Sequence, residues 1–397
     1  MFSTFGFRVV VIGAAVLLGL GRQCVLAQTF QLVQSHSGIS FLNNWTFYSG
    51  IDTNNTGNVL YQTQEQAQQE KLTFFNSAGN FVIKVDNTTD GTNDPTFGRP
   101  SVKILTSYTI SSGNLVLFDA VHLPYGCSVW PAFWTQGPVW PDDGEIDIIE
   151  GVNMQAQNRI ALHTLDGCTH PDASVSSSLE TGTLISTDCF NQTDFDEGCL
   201  VQVPNNSYGA SFAQNGGGVY ALNWNDSGLF FYFFERGSIP ADLPSGSPNP
   251  NSWGLPTAAY PTSSCASTFF TPQTLILETT ICGNFAGTPS VFQQTCSGNC
   301  VDLVQTPSNY DEAYFEISYM KVFEQTNETA PPPPTVSNGA AVSPSTSGST
   351  GTSASSAATT SVGTVNKGSS SGATRLSGSV FSFLLSVLVA GVLSMQL

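Results

Sequence analysis

Between Phe81 and Tyr319 one pattern recurs along the chain: short runs rich in Val, Ile, Leu, Phe and Tyr set between turn residues. The runs are Phe81-Val82-Ile83-Lys84-Val85, Val102-Lys103-Ile104-Leu105, Leu115-Val116-Leu117-Phe118, Ile160-Ala161-Leu162-His163, Leu229-Phe230-Phe231-Tyr232-Phe233-Phe234, Leu275-Ile276-Leu277-Glu278 and Tyr314-Phe315-Glu316-Ile317-Ser318-Tyr319. Each is too short to bury the stripe of a helix but long enough to span a sheet, and their spacing predicts an all-β fold built as an antiparallel β-sandwich. Long helical periodicity is missing. The Gln-rich stretch Gln62 to Glu70 is the best candidate for a helix, yet its polarity makes it read as a surface loop. Residues 28–325 form a stretch of about 300 residues, enough for one large domain, and no internal repeat interrupts it.

Both ends differ from this middle. Arg8 precedes the apolar run Val9 to Leu18, and Val25-Leu26-Ala27 before Gln28 supplies a small-residue cleavage site, so residues 1–27 read as a signal peptide and the protein as secreted. The run falls well short of the ~20 apolar residues needed for a membrane span. Residues 326–375 are rich in Pro, Ser, Thr and Gly, opening with Pro331 to Pro334, and lack the apolar side chains that offset the entropy of ordering a backbone. They read as an O-glycosylated stalk. Residues 376–397 form an apolar tail with no basic cluster after it and small residues, Gly368 to Ala373, before it, as in a signal for a glycosylphosphatidylinositol anchor. A transmembrane helix and an unprocessed tail are the competing readings. The expected location is extracellular, at the cell surface or wall if the lipid anchor is attached.

Of the nine cysteines, Cys24 falls inside the signal peptide, leaving Cys127, Cys168, Cys189, Cys199, Cys265, Cys282, Cys296 and Cys300. An even number in a secreted chain favours disulfides, with a connectivity that sequence does not reveal. Cys296-Ser297-Gly298-Asn299-Cys300 has the spacing of a metal knuckle but no second Cys/His pair, so it reads as a disulfide loop and no metal is expected. Asn-x-Ser/Thr sequons at Asn44, Asn54, Asn87, Asn191, Asn205, Asn225 and Asn327 fit passage through the secretory system on surface loops. A net charge of −18, from 11 basic and 29 acidic residues, opposes nucleic-acid binding and is compatible with a neutral polysaccharide. No heptad or interface pattern is present, so a monomer is the default.

The densest chemical signal is Gly144-Glu145-Ile146-Asp147-Ile148-Ile149-Glu150-Gly151, three carboxylates in a chain otherwise poor in charge. On a strand Glu145 and Asp147 share a face, and a regular continuation turns Glu150 away with the isoleucines. A β-bulge placing Ile148 and Ile149 in one pleat resets the parity and brings all three acids to one groove. A solvated acidic edge and a calcium site are the alternatives, although calcium prefers more oxygen ligands from looped backbone. The functional reading is glycoside hydrolysis: one ionised carboxylate attacks the anomeric carbon and a proton-bearing partner serves the leaving oxygen, the pair about 5 to 5.5 Å apart in a retaining enzyme. Asp147 between them would tune their proton affinities. Trp130, Trp134 and Trp140 lie just upstream; each fits either a sugar-stacking position or ordinary core packing, with Trp140 favoured for the groove.

The segment from Pro124 to Asn153 resembles the active-site strand of glycoside hydrolase family 16, whose signature is Glu-x-Asp-x-x-Glu in bulged form. The likeness extends over most of residues 28–325 and is greatest to the fungal laminarinase-like β-1,3(4)-glucanases, with support from Phe97-Gly98-Arg99-Pro100-Ser101-Val102, Ala161-Leu162-His163-Thr164, Phe234 to Pro240 and Trp253-Gly254-Leu255-Pro256. It implies a β-jelly roll with an open cleft on its concave face, acting without a cofactor on internal β-1,3 or mixed β-1,3/1,4 linkages of a β-glucan partner. It further implies Glu145 as nucleophile, Asp147 as assisting acid, Glu150 as acid/base, His163 as a cleft histidine, and Trp140 and Trp253 as cleft aromatics. Anchored relatives include wall transglycosylases, which stand as the second expectation, ahead of a non-catalytic carbohydrate-binding wall protein.

Overall fold

In a strand that pairs on both edges, alternate side chains face opposite sides, and here those sides become core and cleft. The computed structural model describes residues 29–326 apart from Pro95 and Phe195. The expected signal peptide, the stalk beyond Thr326, the apolar tail and the sequon at Asn327 lie outside the described residues. Two eight-stranded antiparallel sheets make the sandwich. One runs Thr183–Ser186, Cys199–Gln202, Arg159–His163, Glu145–Glu150, Val129–Gln136, Gln273–Ile281, Lys103–Ile110 and Trp45–Tyr48. The other runs Ala258–Pro261, Gly228–Glu235, Gly218–Asn225, Asn114–His122, Tyr314–Thr326, Phe81–Lys84 and Thr73–Phe75, with Thr29–His36 also paired to Tyr314–Thr326.

All seven runs read as strands from sequence lie in these sheets, Val85 and Val102 alone falling just outside. Their inward faces meet in one core, where Phe118 of one sheet stacks on Phe133 of the other with ring centroids 4.4 Å apart. A small third sheet departs from the antiparallel rule, because Val59–Tyr61 and Arg99–Ser101 run parallel. That parallel strand carries Arg99, which is wholly buried. Its guanidinium donates to the carbonyls of Val304 at 2.6 Å and Asp86 at 2.9 Å, faces the Asp86 carboxylate at 3.3 Å, and lies between the Phe97 and Tyr310 rings.

Two expectations are corrected. Gln64–Gln69 is a short helix within the stretch read as a loop. Thr63 and Gln66 form a reciprocal capping box at its start, and Ala67 fills a buried position, so local hydrogen bonding and one small contact outweigh the polar composition. The Cys296–Cys300 segment is no self-closed loop, since Cys296 pairs with Cys127 and Cys300 with Cys282. Cys168–Cys265 and Cys189–Cys199 complete the four bridges. Asn44, Asn54 and Asn205 are exposed, and Asn87, Asn191 and Asn225 are partly so.

Candidate active site

The three acids sit on the strand Glu145–Glu150, and its register shows how they come to share a face. Against Arg159–His163 the pairs are Glu145 with His163, Asp147 with Ala161 and Glu150 with Arg159, so three steps on one strand match two on the other. Against Val129–Gln136, Asp147 faces Trp134 and Ile149 faces Phe133, which leaves Ile148 as the extra residue. Ile146, Ile148 and Ile149 are all buried in the core while Glu145 and Glu150 remain partly open. The parity change required by the carboxylates therefore occurs at the two adjacent isoleucines.

Glycines bracket the strand. Gly144 has φ +79°, and a Cβ there would lie 2.4 Å from the Phe270 ring, so the chain enters the strand through a conformation and a space that suit glycine alone. At the other end a Cβ on Gly151 would lie 2.7 Å from the ring of Tyr208, itself held by a hydrogen bond to the Pro124 carbonyl.

Each acid has its own partner. The indole N–H of Trp130 donates to Glu150 Oε1 at 2.9 Å, and that of Trp140 donates to Glu145 Oε2. Asp147, only 2% exposed, has Oδ2 3.3 Å from Nε2 of His163, whose Nδ1 lies 3.0 Å from Asp196 Oδ1. Burial lifts the carboxyl of Glu150 to about 7, helped by the neighbouring Asp147 charge and opposed by His163, the Trp130 hydrogen bond and Arg159. Burial, followed by Asp147, also pushes Glu145 well above the ordinary range, against the pull of His163 and Trp140. Burial would lower His163, but the carboxylate of Asp147 facing Nε2, the hydrogen bond to Asp196 and the charge of Glu145 outweigh it and hold the imidazolium. Burial and the Asp147 charge thus hold both glutamates towards their protonated forms, against the same His163 charge.

The aromatic residues resolve differently. Trp140 is 44% exposed at the tip of the Gly137–Gly144 loop, which is closed by the Val139 N–H on Asp143 Oδ2 and by the Gly137 N–H on the Gly144 carbonyl, so its ring is available for stacking. Trp130 and Trp134 lie on the acid-bearing face but are nearly buried, and each spends its indole N–H on a carboxylate. Trp253 is a correction. It packs on Tyr232 and Phe234, ring centroids 5.1 and 5.5 Å away, and donates to Asp242 Oδ2 at 2.8 Å. Tyr232 and Phe234 alternate with the inward-facing Phe231 and Phe233, which puts Trp253 on the outside of the opposite sheet and away from the acids.

Several residues beyond the motif complete the site. On the same face Trp134 pairs with Ile276, Ala132 with Glu278, and Glu278 with Lys103. Glu278 accepts from Trp134 Nε1 at 2.9 Å and Tyr61 OH at 2.8 Å and pairs with Lys103 Nζ at 3.0 Å, beside a pocket of about 160 Å³ that Tyr48, Asp52 and Gln136 help line. Lys103 and Glu278 are single charges within apolar runs, a signal that strand parity could have exposed. Asp196 and Asn158 carry no such mark.

Glu145, Asp147 and His163 could each offer one ligand atom to a metal, with these atoms within 4.8 Å of one another. That donor set is the carboxylate–imidazole arrangement just described. What the arrangement can do chemically is hold one carboxyl protonated beside a second that can ionise, in an open groove.

Residues 45–323 match the family model described as an XgeA-like, catalytic GH16 domain. A probable endo-1,3(4)-beta-glucanase of Aspergillus fumigatus is 41% identical over 310 residues, 75% of this chain and 46% of its own, so the chain spans a little under half the length of that relative. Laminarinase 16A of Phanerochaete chrysosporium, solved with two 6-O-glucosyl-laminaritriose glucans in donor and acceptor sites, is 37% identical with a TM-score of 0.70, over 75% of this chain and 100% of that one. An elongating GH family 16 beta-1,3-glucosyltransferase is 38% identical with a TM-score of 0.68, over 74% and 99%. The jelly-roll sandwich, the bulged acid strand and these matches agree: the chain belongs to glycoside hydrolase family 16.

Proposed function

We propose that the protein is a retaining endo-hydrolase of β-1,3 or mixed β-1,3/1,4 glucans, with Glu145 as nucleophile and Glu150 as acid/base. The observation that carries this reading is the bulge at Ile148, which returns Glu150 to the face of Glu145 and Asp147. Glu145, once ionised, attacks the anomeric carbon while Glu150 gives its proton to the departing glycosidic oxygen. Glu150, now a carboxylate, takes a proton from the water that displaces Glu145, and two inversions leave the β configuration. A Glu150 carboxyl lifted to about 7 suits a group that must hold a proton in the first step and accept one in the second. Asp147, held against His163, raises both glutamates, while the imidazolium charge of His163 acts on both directly and favours their ionised forms. The exposed Trp140 ring beside Glu145 supports stacking of a sugar at the reacting centre.

The similarity to an elongating glucosyltransferase favours transglycosylation as a second reading, in which a sugar hydroxyl replaces water. Product analysis by mass spectrometry and NMR after incubating the full-length protein with laminarin, lichenan and a chitin-oligosaccharide acceptor separates the two. Short fragments released as the β anomer support hydrolysis. Products longer than the donor, or joined to the acceptor, assign wall remodelling, and glucan binding without turnover assigns a non-catalytic role. We also propose secretion, N-glycosylation and attachment by the C-terminal lipid signal, for which four disulfides and six sequons at least partly open to solvent are supporting observations. Release of the protein from intact cells by a phosphatidylinositol-specific phospholipase tests the anchor.

A further inference from the structure

The bulge leaves backbone groups that no neighbouring strand can meet, and one side chain meets them. Nδ2 of Asn158 donates to the Ile148 carbonyl at 2.9 Å, and its Oδ1 accepts the N–H of Glu150 at 2.9 Å. Its amide thus stands in for a missing peptide group across the extra residue. Asn158 is wholly buried, and its own backbone is fixed in turn: its N–H donates to Ser207 Oγ at 2.9 Å and its carbonyl accepts from Val203 N–H at 2.9 Å. Asn158 makes no hydrogen bond to the carboxylate of any of the three acids, yet it holds both peptide groups that determine where Glu150 leaves the sheet.

We propose that Asn158 is the positioning residue of the acid/base, fixing through the bulge the direction in which Glu150 presents its carboxyl; this rests on the assignment of Glu150 made above. The chemistry demands an amide of this length. Aspartate keeps the shape but cannot donate to the Ile148 carbonyl, alanine orphans two buried backbone groups, and glutamine is one methylene too long for the space. A loosened Glu150 fails in the step that needs its proton and not in the attack by Glu145.

The test exploits that difference. For the full-length protein and for Asn158→Asp and Asn158→Ala, kcat/KM, which reports the first glycosyl transfer, is measured on laminarin and on a 2,4-dinitrophenyl β-glucan oligosaccharide whose leaving group needs no proton. The expected result is a 10- to 100-fold loss on laminarin for either variant that folds, a loss below threefold on the dinitrophenyl substrate, and little change in KM. The alkaline limb of the laminarin pH profile should also move in Asn158→Asp. Equal losses on both substrates show a general disturbance and overturn the proposal, as does an unchanged laminarin rate. If the unsubstituted protein cleaves neither substrate, the assignment of Glu150 itself fails, and that outcome is distinct from any behaviour of the variants.

Discussion

Glu150→Gln is expected to make the protein inactive and, above pH 7, more stable. A carboxyl raised from its ordinary 4.5 to about 7 by burial and by Asp147 is penalised in its ionised form. At 1.36 kcal/mol per tenfold, that penalty is about 3 kcal/mol as an upper figure, since Glu150 keeps some contact with solvent. Because the folded value lies above the unfolded one, the native state is favoured most below pH 4.5 and loses that advantage as the pH rises from 4.5 through 7. Glutamine has the same shape, still accepts from Trp130 Nε1, and does not titrate. Guanidinium unfolding of both proteins at intervals from pH 4 to 8 should therefore give nearly equal stabilities at pH 4 and a gap of about 1–3 kcal/mol at pH 8 in favour of the variant. A difference that does not vary with pH, or a variant less stable at pH 8, would refute the account of Glu150 as a buried, proton-retaining carboxyl.

Trp140→Phe removes the donor that favours ionised Glu145, so the acid limb of the kcat/KM profile should move to higher pH while the alkaline limb stays near that of the parent. Trp253→Ala should leave KM for laminarin within about twofold and lower stability by roughly 2–3 kcal/mol, read by melting, because it opens a cavity on the outer face; a large rise in KM would return Trp253 to the cleft. Arg99→Met should cost about 3–5 kcal/mol in denaturant unfolding, since it removes the cation facing the buried Asp86 carboxylate, which keeps only its Thr88 and Thr89 donors, and takes the guanidinium donor from the Val304, Asp86 and Thr89 carbonyls.

The acid strand was legible because a period-2 pattern with one defect admits few solutions: three carboxylates can share a groove only if one of the two adjacent isoleucines is the extra residue. His163 followed from its place on the next strand, where it sits directly opposite Glu145. Trp253 misled because an aromatic beside Gly-Leu-Pro says nothing about which face of which sheet receives it, and that is decided by the parity of Tyr232 and Phe234 on a partner strand. The capping box of Thr63 and Gln66 was written in the sequence but masked by the polarity around it. Asn158 had no signal at all, for its task exists only once the bulge has formed and exposed two peptide groups to it. The pairing of Cys296 and Cys300 with distant partners was equally hidden, because it depends on where two loops meet in space.

The strand Tyr314–Thr326 lies between Asn114–His122 and Phe81–Lys84 and also pairs with Thr29–His36, so the second sheet has its keystone at the end of the described chain. A ribosome delivering this protein makes the first strand almost 300 residues before the strand that will hold it. Cys127 likewise waits 169 residues for Cys296, on the order of ten to thirty seconds at about 5–20 residues per second, while Cys189 meets Cys199 almost at once. During that interval the nascent domain carries an unpaired edge and a free thiol together, and its exposure to chaperones and thiol-exchange enzymes is set by chain order and not by the stability of the finished sandwich.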